Sequence, residues 1–208
     1  MKSSHEAEDK VQSVGKLQRL PDVILLKVGQ FTSESDEKKL VRVSKTMHSI
    51  FQPITLFTKF LECVSFGKQD EVEKLFNRVY SGHETKIQEA LRYRGVFTDY
   101  SGRIFNCTAY EYAYWAKDTH MCRMLERYMD EYTKAIILAR ITTNDETGLS
   151  YQQNGAEHRS AHFDLTPLKD ALRAYVNGYK DSNPAASEAA WLAIGMAQRD
   201  VPAHVAQE

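Results

Sequence analysis

Cysteine is scarce. Cys63, Cys107 and Cys122 are the only three in 208 residues. An odd and sparse set does not build the disulfide framework of a small secreted domain, and a reducing compartment is the simpler setting. Long apolar runs are missing as well. The opening MKSSHEAEDKVQSVGKLQ holds no apolar core, so no secretory signal peptide is expected, and no stretch suffices to cross a bilayer. The expectation is a soluble, cytoplasmic chain without membrane partners, although an export signal of another kind, at a C-terminus for instance, would escape this test. An excess of one charge is also lacking: 27 Lys and Arg stand against 28 Asp and Glu. Nothing draws such a chain toward phosphate backbones, so no nucleic-acid partner is expected. There is no glycine-rich phosphate loop and no G-x-S-x-G nucleophile turn.

Metal and thiol chemistry are thinly supported. His158 and His162 are four apart and can share a helix face, but no Glu or Cys accompanies them at ligand spacing. No metal site and no cofactor is therefore expected. His120 and Cys122 alternate around one helix and do not face each other. Cys63 and Cys122 fall within apolar stripes, where a buried thiol is inert. A cysteine-dependent enzyme on a helical scaffold is the weakest of three readings, and no self-contained enzyme is expected.

What is present is ordinary core material: 42% hydrophobic and 26% charged residues, enough for a packed interior. Residues 1–18 are polar and aperiodic and read as a disordered lead-in. From Leu20 to Phe51 three short helices fit into little more than thirty residues. Pro21 suits a first helical position, Asp36 or Ser35 caps a second helix, Ser44 caps a third, and Pro53 closes the unit. Beyond it, Ile54, Phe57, Phe60, Leu61 and Val64 form one helical stripe ended by Gly67. Further helices are expected over residues 69–82, 86–93, 110–116 and 119–132. Val96–Cys107 reads as extended, turning at Asp99 and Gly102. Residues 142–162 are polar with two glycines and read as a linker. Thr166 with Pro167 opens a helix striped by Leu168, Leu172, Tyr175, Val176 and Tyr179, and Asn183 with Pro184 opens a last one. Strand signals are few, so the expected fold class is all-α, divided at 19–52, 53–141, 142–162 and 163–208.

The segment LPDVILLKVGQFTSESDEKKLVRVSKTMHSIF resembles the F-box motif without a gap. Leu20-Pro21, Lys27-Val28, Phe31, Asp36, Leu40, Val43-Ser44-Lys45 and Ile50 carry the resemblance; Thr32 and Glu37 stand where the family prefers leucine. The resemblance implies docking on the Skp adaptor, and through it the cullin, of an SCF-type ubiquitin ligase (Skp, cullin, F-box). A unit this short cannot bury its own apolar surface. Leu20, Pro21, Ile24, Val28 and Leu40 are the expected Skp-contacting residues.

CVSFGKQDEVEKLF, Cys63–Phe76, resembles the helix pair of an ankyrin repeat, with Gly67 at the turn glycine and Leu75-Phe76 at the paired leucines. A second copy spans Thr108–Leu125, with Thr108-Ala109-Tyr110-Glu111 at the repeat's opening and Lys117 replacing the turn glycine. Such repeats bind through projecting loops, so an unidentified target protein is expected to meet Arg92, Tyr93, Arg94, Phe97, Tyr100 and Arg103, a mixture typical of interface centres. An F-box joined to degenerate ankyrin-like helices also resembles Legionella-type secreted effectors. That resemblance implies action in a host cytosol on a borrowed host ligase, and the abrupt stop at Glu208 fits a trimmed chain without its export tail. The reading is a non-catalytic ligase adaptor that presents a target for ubiquitination. The alternative is an ankyrin-like binding module that acts by occupancy.

Overall fold

The computed structural model describes residues 45–207 continuously and, before them, Ile24, Leu25, Asp36, Lys39, Leu40 and Arg42. The chain divides into two units, Met1–Lys59 and Phe60–Glu208.

Helix α1, Lys45–Ser65, runs through Pro53. The expected stop at that proline is thus corrected. An interior proline forfeits one backbone bond and crowds the turn before it, a cost of about 3 kcal/mol. Beyond it Phe60, Leu61 and Val64 are at most 2% exposed; each such side chain contributes about 1.5–3 kcal/mol on burial, which outweighs the break.

In the second unit, α2 (Gln69–Lys74) passes directly into a π-helical turn, Leu75–Val79, and α3 follows over Glu84–Arg92. Strands β1 (Gly95–Thr98) and β2 (Ile104–Cys107) form a hairpin. Helices α4 (Ala109–Trp115), α5 (Thr119–Glu126) and α6 (Glu131–Thr147) come next. Each starts where a side chain accepts an otherwise unpaired N–H. Thr108 accepts from Glu111 within a reciprocal capping box, Asp118 from Met121 and Asp130 from Thr133. A second hairpin, β3 (Leu149–Gln153) with β4 (Ala156–Ser160), precedes α7 (Thr166–Lys180), α8 (Pro184–Gln198) and the short α9 (Ala203–Gln207).

The expected all-α class is therefore wrong: the four strands join into one antiparallel sheet of order β1-β2-β3-β4. The stretch 142–162, expected as a linker, is the end of α6 followed by the β3–β4 hairpin. Its turn is Asn154-Gly155, with φ of 52° and 79°, the left-handed pair that a two-residue hairpin turn requires. The strands escaped notice because they are short and polar. Only Leu149 is buried in β3, and no residue is buried in β4. Pairing of Phe105 with Tyr151 and of Ile104 with Gln152 joins the two hairpins across the expected boundary at 141.

Phe105 sits at the centre of the core. Its ring lies 5.8 Å from Phe97, 5.1 Å from Tyr112, 4.9 Å from Trp115 and 5.2 Å from Tyr151, within the range where tilted and edge-on aromatic pairs attract. Against this cluster lies a buried ion pair. Arg103 and Asp99 are joined at 2.8 Å with their side chains 2% and 0% exposed. The guanidinium is centred 5.0 Å from both the Trp115 and Phe163 rings, and its Nη1 donates to the Asp200 carbonyl at 2.7 Å. Removing Asp99 leaves that charge stranded, so Asp99→Ala is expected to destabilise the second unit by about 3–5 kcal/mol. A urea unfolding midpoint read from tryptophan fluorescence should fall accordingly; an unchanged midpoint would show the pair to be dispensable.

Candidate functional site

Two surfaces were expected to bind partners. On the first, Ile24 and Leu25 are helical neighbours with opposite fates: Ile24 is 42% exposed and Leu25 is fully buried. Leu40 is helical and half-buried, and Asp36 pairs with Lys39 at 3.0 Å on an exposed face. Leu20, Pro21 and Val28 lie outside the described residues. Ile24 thus offers apolar surface to solvent while its neighbour does not.

The second surface is sorted by the β1–β2 hairpin. Alternation along a strand sends successive side chains to opposite faces, and the turn fixes which face is which. Asp99 Oδ1 accepts from the N–H of Ser101 at 3.0 Å and of Arg103 at 2.9 Å, and Gly102 takes φ of 79°. Arg103 and Phe97 thereby point inward, 1% and 5% exposed, and cannot meet a target in this conformation. Arg92 donates to Thr133 Oγ1 at 2.6 Å and rests over the Tyr132 ring at 5.4 Å. Arg94 is exposed but engaged, donating to the Asn106 carbonyl at 2.8 Å and pairing with Glu111 at 3.4 Å. Tyr93 is half-buried. Tyr100, 50% exposed, leans edge-on against Phe66 at 6.4 Å. Of the six candidates, Tyr100 is the one that presents a large apolar surface outward. It shares the hairpin with two residues the sequence did not single out, Val96 and Ile104, which are 64% and 42% exposed.

Glu111 gathers polar groups beneath the hairpin. Its carboxylate is 1% exposed and receives the Thr108 N–H at 2.9 Å, Asn144 at 3.2 Å and Arg94 at 3.4 Å, with Arg140 at 4.0 Å. This cluster closes a helix N-terminus and ties α4 to α6. Such a saturated carboxylate has a structural task rather than a free lone pair for chemistry.

The sequence missed a larger apolar surface on the α7–α8 hairpin. Leu172, Val176 and Tyr179, part of the expected apolar stripe, are 45%, 47% and 76% exposed. The inward positions are instead Ala171 and Gly178. A Cβ on Gly178 would lie 3.0 Å from both the backbone nitrogen and the hydroxyl of Ser187, so the helices approach along their smallest residues. On α8, Trp191, Leu192 and Met196 are 61%, 64% and 69% exposed. The available signal was the set of small residues spaced seven apart, 171 and 178, which competes with the bulkier stripe beside it.

No group of His, Cys, Asp and Glu among the described residues is arranged to hold a metal, and none of their helices is long and apolar enough to cross a membrane. All three cysteines are free thiols and buried. Burial pushes the Cys122 thiol up to about 12, with the charges of Asp118 and Glu126 adding to the shift. Burial, then Glu111, holds Cys107 well above the ordinary range. Because the thiolate is the reactive form, these thiols stay protonated and unreactive through neutral and mildly alkaline pH. A disulfide-exchange reagent at pH 8 is expected to titrate almost none of them in the folded chain and all three after denaturation. One fast equivalent in the native state would revive thiol chemistry.

Residues 167–208, covering α7 to α9, match a family model described as the CBUA0006 C-terminal domain. Over 189 residues the chain is 33% identical to the protein called Uncharacterized protein CBUA0006 of Coxiella burnetii (strain RSA 493 / Nine Mile phase I). The alignment covers 82% of this chain and 52% of that protein, so the chain spans about half the length of the curated relative it matches. Neither description states an activity. No solved structure matches the chain.

Proposed function

We propose that the chain is an F-box substrate adaptor that docks on the Skp subunit of an SCF-type ubiquitin ligase and presents a target protein for ubiquitination. The observation that carries the reading is the ungapped set Leu20-Pro21, Lys27-Val28, Phe31, Asp36, Leu40 and Val43-Ser44-Lys45, together with Ile24 of the same segment, which keeps an apolar side chain in solvent. Many positions at fixed spacing are hard to reach by chance, and a unit of this size needs a second body to cover its apolar side. The bacterial source of the similar protein favours a host ligase as the one recruited, with the chain working in the host cytosol.

The target side of the proposal rests on the second unit. Its helix pair α4–α5 turns through Lys117 at φ of 62°, the position where an ankyrin-like pair has glycine. That supports a repeat-like scaffold on which the β1–β2 hairpin projects Tyr100, Val96 and Ile104. Catalysis is left to the ligase, and the chain supplies proximity.

Mixing the purified chain with a eukaryotic Skp adaptor tests the proposal. The two should co-elute on a sizing column, and Leu20→Ala with Pro21→Ala should abolish co-elution while far-ultraviolet circular dichroism stays the same. Ile24→Asp, which puts a charge into an apolar contact, should weaken binding by about tenfold or more. Absence of any complex with the unaltered chain would refute ligase recruitment and leave binding by occupancy.

A further inference from the structure

Helix α8 is apolar nearly all the way round. In its fifteen residues Glu188 is the only charged side chain, and a helix of that kind is normally covered on more than one side. Ala190 and Ile194 turn inward at 6% and 4% exposure, so α7 covers one face. The opposite face carries Glu188, Leu192, Gly195 and Arg199 at spacings of four, three and four, the repeat of a helix that seats against another helix. Trp191 and Met196 flank that seam. Tyr175 steadies Trp191, their ring centroids 5.7 Å apart.

This seam is complementary to itself. An antiparallel copy related by a two-fold axis between Ala193 and Ile194 sets Leu192 against the partner's Gly195, with Trp191 beside the partner's Trp191 along one edge and Met196 beside the partner's Met196 along the other. The same axis sets Glu188 opposite the partner's Arg199. The large side chain has somewhere to go, because a Cβ built at Gly195 meets nothing within 4 Å. The charges lack competing claims: among the described residues, neither Glu188 nor Arg199 makes a side-chain ion pair or hydrogen bond. Knob facing recess and acid facing base, both about the midpoint of one helix, is what an isologous interface requires. An unrelated partner would impose no such symmetry on the seam.

We propose that the chain forms a two-fold symmetric homodimer through an antiparallel α8–α8 seam made by Glu188, Trp191, Leu192, Gly195, Met196 and Arg199. The seam lies away from the F-box segment in sequence and does not depend on ligase recruitment, so either reading survives the loss of the other. A dimer carries two docking units and two target surfaces, which raises the effective concentration of one site beside the other.

Sedimentation velocity and light scattering on the full 208-residue chain test the proposal. The expected particle has twice the mass of the 23.8 kDa monomer. Glu188→Arg alone sets like charges against each other twice per dimer, as does Arg199→Glu alone. Each should raise the dimer dissociation constant by about tenfold or more, and the double variant should return it to within about threefold of the unaltered chain. Leu192→Asp should give a monomer whose circular dichroism matches the unaltered chain. Recovery in the double variant separates this pairing from a general loss of folding. A monomer at every concentration up to about 0.1 mM, the reach of a weak association, overturns the proposal. So does a dimer indifferent to both charge reversals, whose interface must then lie elsewhere.

Discussion

A guanidinium held out of water has to stay paired, and much of the second unit is arranged around that requirement. Arg103 is held by Asp99 from its own turn, by the Asp200 carbonyl nearly a hundred residues later, and between the Trp115 and Phe163 rings. Tyr112 reaches the same carboxylate at 3.3 Å and lies 3.3 Å from the Ser65 carbonyl at the end of α1. Ser101, in the turn itself, donates to the Val201 carbonyl at 2.8 Å. A buried pair of this kind gains little over a well-packed apolar substitute, but once present it tolerates no loosening. Its geometry therefore fixes the hairpin turn, the start of the helical core and the path of the C-terminal strap, where Val201, Pro202 and Ala203 are all buried.

That arrangement decides what the unit can offer a partner. Residues whose types suit an interface, Arg103 and Phe97, are consumed in holding the hairpin to its core. What projects is the complementary set on the other side of the same strands, Val96 and Ile104, with Tyr100 at the tip. The α7–α8 hairpin follows similar logic. Gly178 lets two helices meet closely, and the larger side chains beside it are displaced outward. In both places the exposed apolar surface is a by-product of which residues the core takes first.

Local chemistry was legible where a single short-range interaction decides the outcome. Asn183 with Pro184 starts α8, and Asn183 accepts from the Ala186 N–H at 3.1 Å. Gly67 takes φ of 65° after α1, and the Asp99–Gly102 stretch turns as its composition suggests. Asn154-Gly155 was equally local and equally informative, but the polar residues around it hid two strands. β3 and β4 are stabilised by pairing with one another, and β3 also by pairing with β2, a gain that composition alone cannot register. Pro53 misled in the other direction, since a local cost was outweighed by apolar burial further along the same helix.

The sequence by itself determined several turns, the capped start of α8 and the F-box resemblance, because each depends on a few neighbouring residues; the break between α5 and α6, inside the single helix expected over 119–132, it did not show. Only the tertiary structure decided that four strands form a sheet, that Arg103 and Phe97 face inward, and that Trp191, Leu192 and Met196 remain outside. Those outcomes depend on which distant surfaces reach one another first and how closely. Gly178 wins the contact between α7 and α8 by being small, and no count of apolar residues along one helix reveals the size of the gap left by its neighbour.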